Sequence, residues 1–202
     1  MKIVGGAQIA PHECRYLRRH RMVNAADWEA LKRLLAAEAM QEADWADFRR
    51  AGDQEKLSIL AAVGTMLDVG RDRMDAATGI LGWNGAGCGV ADARFWRDYR
   101  DNDGLGRGGL FVGTLHSIPL CEAAIALGVH GASSYLRGDD WRACAEAFLR
   151  SNRMARLLVI QTGTARADAL LVEAALGHGG ARSGEDFRCF CDRIWNNEVM
   201  PW

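Results

Sequence analysis

The chain has 202 residues, 25 Lys and Arg against 26 Asp and Glu for a formal net charge of -1, and 49% hydrophobic residues. That is the composition of an ordinary globular protein, large enough for one sizeable core and cramped for two, with no electrostatic pull towards nucleic acid or an anionic membrane. No apolar run reaches the roughly 18 residues of a membrane-spanning helix.

The opening "KIVGGAQIAP", residues 2–11, has the apolar character of a short first strand broken by Pro11. The N-terminal "MKIVGGAQIAPHEC" is too short and too Gly-rich for a signal peptide, and the basic "RYLRRHR", residues 15–21, reads as a solvated loop or helix start. "NAADWEALKRLLAAEAMQEADWADFRRAG", residues 24–52, reads as a helix capped by Asn24 and closed by Gly52, with Trp28, Leu31, Leu34 and Leu35 at helical spacing. "DQEKLSILAAVGTMLDVG", residues 53–70, is apolar nearly all round after Lys56, which predicts a helix buried on most of its surface.

"AATGILGWNGAG", residues 76–87, reads as a strand ending in a glycine-rich turn, and residues 89–103 as an amphipathic helix burying Phe95 and Trp96. "LFVGTLHSIPLCEAAIALGVHGA", residues 110–132, reads as an extended segment broken at Pro119, then a helix to Leu127 ended by Gly128. The strand "SSYL" (133–136), a helix over 139–151, the strand "RLLVIQTG" (156–163) and the apolar run "DALLVEAALG" (168–177) complete the ordered part. The remaining tail, aromatic towards its end, is expected to pack on a neighbour. Strands alternating with helices predict an α/β fold with a parallel or mixed sheet.

Individual chemical motifs are weak. In "GWNGAGCG" the glycines at 82, 85, 87 and 89 match neither the dinucleotide fingerprint nor a P-loop, so a tight turn is expected and no cofactor. "CFC", residues 189–191, with His178 falls short of a four-ligand zinc site, so no metal is expected. The six cysteines, at 14, 88, 121, 144, 189 and 191, lack paired spacing and suit reduced thiols in a cytoplasmic protein. Cys121, near the start of an apolar helix, is the strongest lone nucleophile candidate, because a helix N-terminus favours a thiolate. Cys144, inside the helix after "RGDD" where its side chain points along the helix face, and His116, beside Ser117 in an extended segment whose neighbouring side chains point apart, are lesser catalytic candidates.

The order of four stretches resembles the N-terminal half of a β-ketoacyl synthase, of the thiolase-like superfamily. They are "KIVGGAQIAP", "EKLSILAAVGTMLDVG", "GILGWNGAGCGVADARFWRDY" and "LFVGTLHSIPLCEAAIALGVHGA"; the pattern of "FLRSNRMARLLVIQTG" follows in register. The resemblance covers residues 1 to about 176. It implies a single β-ketoacyl synthase N-terminal-like domain over 1–202, with a core of 1–176 and a tail of 177–202, built as a thiolase-like half fold on a mixed, mostly parallel sheet of about five strands with helices on both faces.

The family's nucleophilic cysteine follows the strand equivalent to "SSYL" in a small-residue turn. Here that turn reads "RGDD", residues 137–140, and neither Cys nor Ser occupies it. The two further catalytic residues of the family come from a C-terminal half with no counterpart in these residues. Asp139 or Asp140 is instead expected to cap the following helix. The resemblance thus implies a non-catalytic accessory subunit of fatty-acid, polyketide or aryl-polyene type biosynthesis, as a homodimer or a heterodimer with a ketosynthase, with acyl-carrier protein as a further partner. Two alternatives stand beside it: an acyltransferase or condensing enzyme using Cys121 or Cys144, and a self-assembling structural or small-molecule binding protein.

Overall fold

The computed structural model describes residues 1–39, 43–83, 89–102, 104–174 and 186–196. In chain order the elements are β1 (Lys2–Ala10), β2 (Glu13–Tyr16), β3 (Arg21–Asn24), α1 (Trp28–Ala39), α2 (Asp53–Val69), β4 (Gly79–Trp83), α3 (Gly89–Asp101), α4 (Gly108–Val112), α5 (Ile118–Leu127), β5 (Ser133–Leu136), α6 (Trp141–Ser151), β6 (Arg156–Thr162), β7 (Ala167–Glu173) and α7 (Phe187–Trp195). The fold is α/β: one seven-stranded mixed sheet in the order β3-β2-β1-β7-β6-β4-β5 with helices on both faces.

The expected sheet of about five mostly parallel strands is corrected in count and direction. Among the described residues only β4 pairs parallel, with β5 and β6. The β1–β2, β2–β3, β1–β7 and β6–β7 pairs are antiparallel. The reason is connection length. Pro11 and His12 join β1 to β2, Leu17 to His20 join β2 to β3, and Gly163 to Arg166 join β6 to β7, all too short for a parallel crossover. "RYLRRHR" is accordingly neither loop nor helix start throughout: Arg15 and Tyr16 end β2, and Arg21 opens β3.

α2 is the centre of the fold. Every residue from Leu57 to Val69 is buried, as its all-round apolar sequence predicts. Small residues let it lie close on β1, and a Cβ at Gly64 would stand 2.9 Å from that of Ala7. Its buried polar side chains are all engaged. Ser58 shares a 2.6 Å hydrogen bond with Thr162, and Thr65 Oγ1 donates to the Ala61 carbonyl at 2.8 Å. The Asp68 carboxylate accepts three backbone N–H groups, from Gly6 at 2.9 Å, Arg18 at 2.8 Å and Arg19 at 2.9 Å.

Alternating side chains feed two cores. Leu158 and Ile160 of β6, with Ala169 and Leu171 of β7, face α1, α2 and α5. Leu157, Val159, Leu170 and Val172 face α6 and α7. In β1 a register shift between Ile3 and Gly5 sends Ile3 to the second core and Ala7 and Ile9 to the first, which strict alternation would not allow.

Several boundaries differ from expectation. Asn24 ends β3 opposite Glu13, and Asp27 takes the helix start, its Oδ1 accepting from Ala30 N at 2.7 Å. Gly52 does not close the first helix but precedes α2 as its N-cap. Pro119 lies in the first turn of α5, where a missing N–H leaves no bond unmade. Ahead of it, α4 stands where an extended segment was expected. Gly128 ends α5 at φ 62°, as anticipated.

Phe95 and Trp96 are not a buried face, since α3 buries no residue and Trp96 is 57% exposed. Phe187 to Trp195, expected to reach a neighbour, instead packs on its own sheet through Phe187, Phe190, Cys191 and Ile194. Arg188 locks it there with a 3.1 Å ion pair to the fully buried Asp168, which also accepts from Gln8 at 2.9 Å and Arg166 at 2.8 Å. The glycine turn at 84–88, His178 and the last residues of the tail lie outside the described residues.

Two stability predictions follow from this core. Asp68→Asn presents an amide N–H to an array of donors and removes a charge-assisted acceptor, so the urea midpoint should fall by the equivalent of about 2–4 kcal/mol. Burial pushes the Cys14 thiol up from 9.0 to about 12. The folded state therefore holds this proton where the unfolded state releases it, and stability present below pH 9 should drain away as pH rises towards about 12. Cys14→Ala should flatten that alkaline decline in a denaturation series.

Candidate functional site

The turn joining β5 to α6 sits where the resemblance locates a nucleophile. β5 brings Ser133 to Leu136 alongside Ile80 to Trp83 of β4, and the chain then turns through Arg137, Gly138 and Asp139 into α6. Gly138 rests against the buried Trp83, where an added Cβ would meet the indole at 3.3 Å. A small residue is therefore suited to this point. Of the two candidate caps, Asp140 is the one: its Oδ1 accepts from the Ala143 N–H at 3.0 Å. That satisfies one of the free donors at the N-terminus of α6, worth on the order of 1 kcal/mol.

The next residue, Trp141, anchors α6 in the second core. It is fully buried, meeting Phe187 edge-on at 5.0 Å and Phe190 at 5.2 Å, while the Arg142 guanidinium lies 4.3 Å from the centre of the Phe190 ring. Cys144 stands one turn further along and packs partly buried against this same core. It is not in the turn and is held by the hydrophobic layer behind it.

The other candidates fall elsewhere. Cys121 is exposed on α5, a helix whose buried residues Leu120, Ala123 and Ala126 belong to the first core. The sheet therefore separates Cys121 from Cys144. His116 precedes α5 and lies edge-on to Tyr135 of β5, ring centres 5.5 Å apart. Tyr135 and Leu120 in turn flank Gly82, so this histidine belongs to the packing between α5 and the β4–β5 edge. Cys189 is exposed and Cys191 buried, so the two thiols of "CFC" do not face one space. Burial lifts the Cys191 thiol well above its usual range, which holds it protonated and inert.

A cleft of about 490 Å³ opens on the α2–α5 side. Asp53 and Glu55 from the start of α2, Arg94 of α3, Leu110 of α4, and Ile118 and Glu122 of α5 all line it. The Glu122 carboxyl is raised above the ordinary range, first by partial burial and then by the carboxylates of Asp47 and Glu55. This size suits a small organic molecule. Among the described residues no thiol lines the cleft and no residue of the β5–α6 turn reaches it. Sequence reasoning missed it because its walls come from four separate helices and the 47–52 segment; no local pattern announces it.

No protein-family model matches the sequence, and no curated protein matches it. Solved structures do. A ketosynthase in complex with its chain length factor, from Xenorhabdus doucetiae, superposes with a TM-score of 0.57 at 14% identity, covering 88% of this chain and 81% of that one. The ishigamide ketosynthase/chain length factor gives 0.58 at 14%, covering 90% and 64%. A type II polyketide synthase acyl-carrier protein in complex with its ketosynthase, bound to the hexaketide, gives 0.54 at 13%, covering 85% and 62%. This chain thus spans less than two thirds of the second and third matched chains. Among the described residues no helix is long and apolar enough to cross a membrane. At such identities the likeness is one of fold, and the chain has the thiolase-like α/β fold of ketosynthase and chain length factor subunits.

Proposed function

We propose that this chain, a single β-ketoacyl synthase N-terminal-like domain, is a non-catalytic accessory subunit that docks on a ketosynthase in fatty-acid, polyketide or aryl-polyene type biosynthesis. One observation carries the reading. The turn at the end of β5 offers Gly138, Asp139 and Asp140 where a condensing enzyme needs a thiol, and the Asp140 carboxylate is committed to capping α6. An acyl thioester cannot form there, and a cysteine one turn inside α6 lies away from the turn whose backbone N–H groups would hold an oxyanion. β5 stands last in the sheet order, and an edge strand is a position at which a partner subunit can dock. The pairing of ketosynthase with chain length factor in the structural neighbours supports the same reading.

One observation favours the enzymatic alternative: Cys121 is exposed in the first turns of α5, next to the cleft-lining Glu122. The two readings separate cleanly. Intact-mass measurement after incubation with an acyl thioester at neutral pH should show no acyl adduct; stoichiometric acylation of Cys121 or Cys144 would overturn the non-catalytic reading. Native mass spectrometry of the protein recovered by a mild tag from its own cells should show it bound to a ketosynthase, with or without acyl-carrier protein. Recovery free of any synthase would sink the accessory-subunit proposal.

A further inference from the structure

α3 stands apart from both cores. It packs chiefly on α4, and the contact is aromatic: the rings of Phe95 and Phe111 meet edge-on at 5.6 Å. An ion pair of 2.6 Å between Asp98 and Arg107 ties the intervening loop to the helix. With Phe95 turned towards α4, the adjoining face presents Trp96, 57% exposed, and Tyr99, 39% exposed, their rings 5.6 Å apart. Val90, Leu105 and Phe111 nearby are also exposed. Large rings gathered in water on a well-braced helix mark a surface that something covers.

The sequence of α3 says what. Around Trp96 the helix reads "DARFWRDYR", residues 92–100. Asp92 lies four residues before Trp96 and Arg100 four after, so the three share one helix face. Ala93 and Tyr99 lie three residues to either side. When two such helices pair antiparallel about a two-fold axis at Trp96, each residue before it meets the residue equally far beyond it in the other copy. Asp92 then meets Arg100 of the second copy, Arg100 meets its Asp92, and the large Tyr99 ring covers the small, exposed Ala93. Trp96 meets Trp96. A face that pairs opposite charges and fits large against small under its own two-fold is complementary to itself, whereas an unrelated partner would require no such symmetry.

We infer that α3 is a self-association surface, through which two copies of this chain pair antiparallel about a two-fold axis at Trp96. It is distinct from the β5 edge proposed above for a ketosynthase, so the inference neither needs that reading nor conflicts with it. The test is sedimentation velocity on the full purified chain, without any partner, at moderate salt so that exposed charges are not fully screened.

The wild type should dimerise within a range of about 1 to 200 µM. Asp92→Arg and Arg100→Asp each set like charges together twice, so each should weaken the dimer about tenfold or more, and the double variant should recover to within about threefold of wild type. Trp96→Ala should give a folded monomer at every concentration, with a melting temperature that, unlike that of the wild type, does not rise with protein concentration. A wild-type monomer over the whole range would overturn the inference. So would single swaps without effect, or a double variant no tighter than the singles.

Discussion

The Asp68 carboxylate holds together the part of the molecule on which everything else is built. It sits at the end of α2, buried, and draws backbone N–H groups of Gly6, Arg18 and Arg19 onto its two oxygens. A buried carboxylate is costly unless its hydrogen-bonding capacity is met, and here three directed donors from two chain segments meet it. The requirement fixes the register of α2 against β1 and the β2–β3 turn. The close approach at Gly64 and the Ser58–Thr162 bond then fix its far end against the sheet. With α2 in place, α5 and α1 have a surface to pack on, and the cleft between α2, α4 and α5 takes its shape.

The sheet that α2 covers also decides what the cysteines can do. Because side chains alternate, β4, β6 and β7 feed two separate cores, with α5 on one side and α6 on the other. Thiols on those helices cannot cooperate across the layer. The turn at the end of β5 joins strand to helix through two structural contacts: a glycine against Trp83 and an aspartate capping the start of α6. Folding at this point depends on the packing behind the turn and not on the group displayed at its tip.

α3 and α4 follow a different logic. They cover neither core, and their stability comes from Phe95, Phe111 and the Asp98–Arg107 pair. Arg107 holds the Asp98 carboxyl below its usual range through that bond. A layer assembled from its own contacts can display aromatic side chains outward without loosening the domain. α7 shows the opposite case, since its Arg188 reaches the fully buried Asp168 and its phenylalanines complete the second core.

The sequence by itself determined the α/β class, the central buried helix, the "SSYL" strand and the turn "RGDD" after it, and Gly128 as a helix stop. Each rests on a local cause: hydrophobic periodicity, the identity of a turn residue, or a φ that glycine tolerates. Only the tertiary structure decided that the strands number seven and pair mostly antiparallel, since pairing partners distant in sequence leave no local mark. Amphipathic helices were equally ambiguous. "FWRDY" and "FRCFCDRIW" have similar patterns, yet the first stays exposed and the second is buried. The difference lies in the free sheet face that β6 and β7 leave beside α6, which accepts α7 and leaves none for α3. The choice between Asp139 and Asp140 as cap, the separation of Cys121 from Cys144 and the cleft all depend on where elements settle in space, because burial and distance are properties of the packed whole.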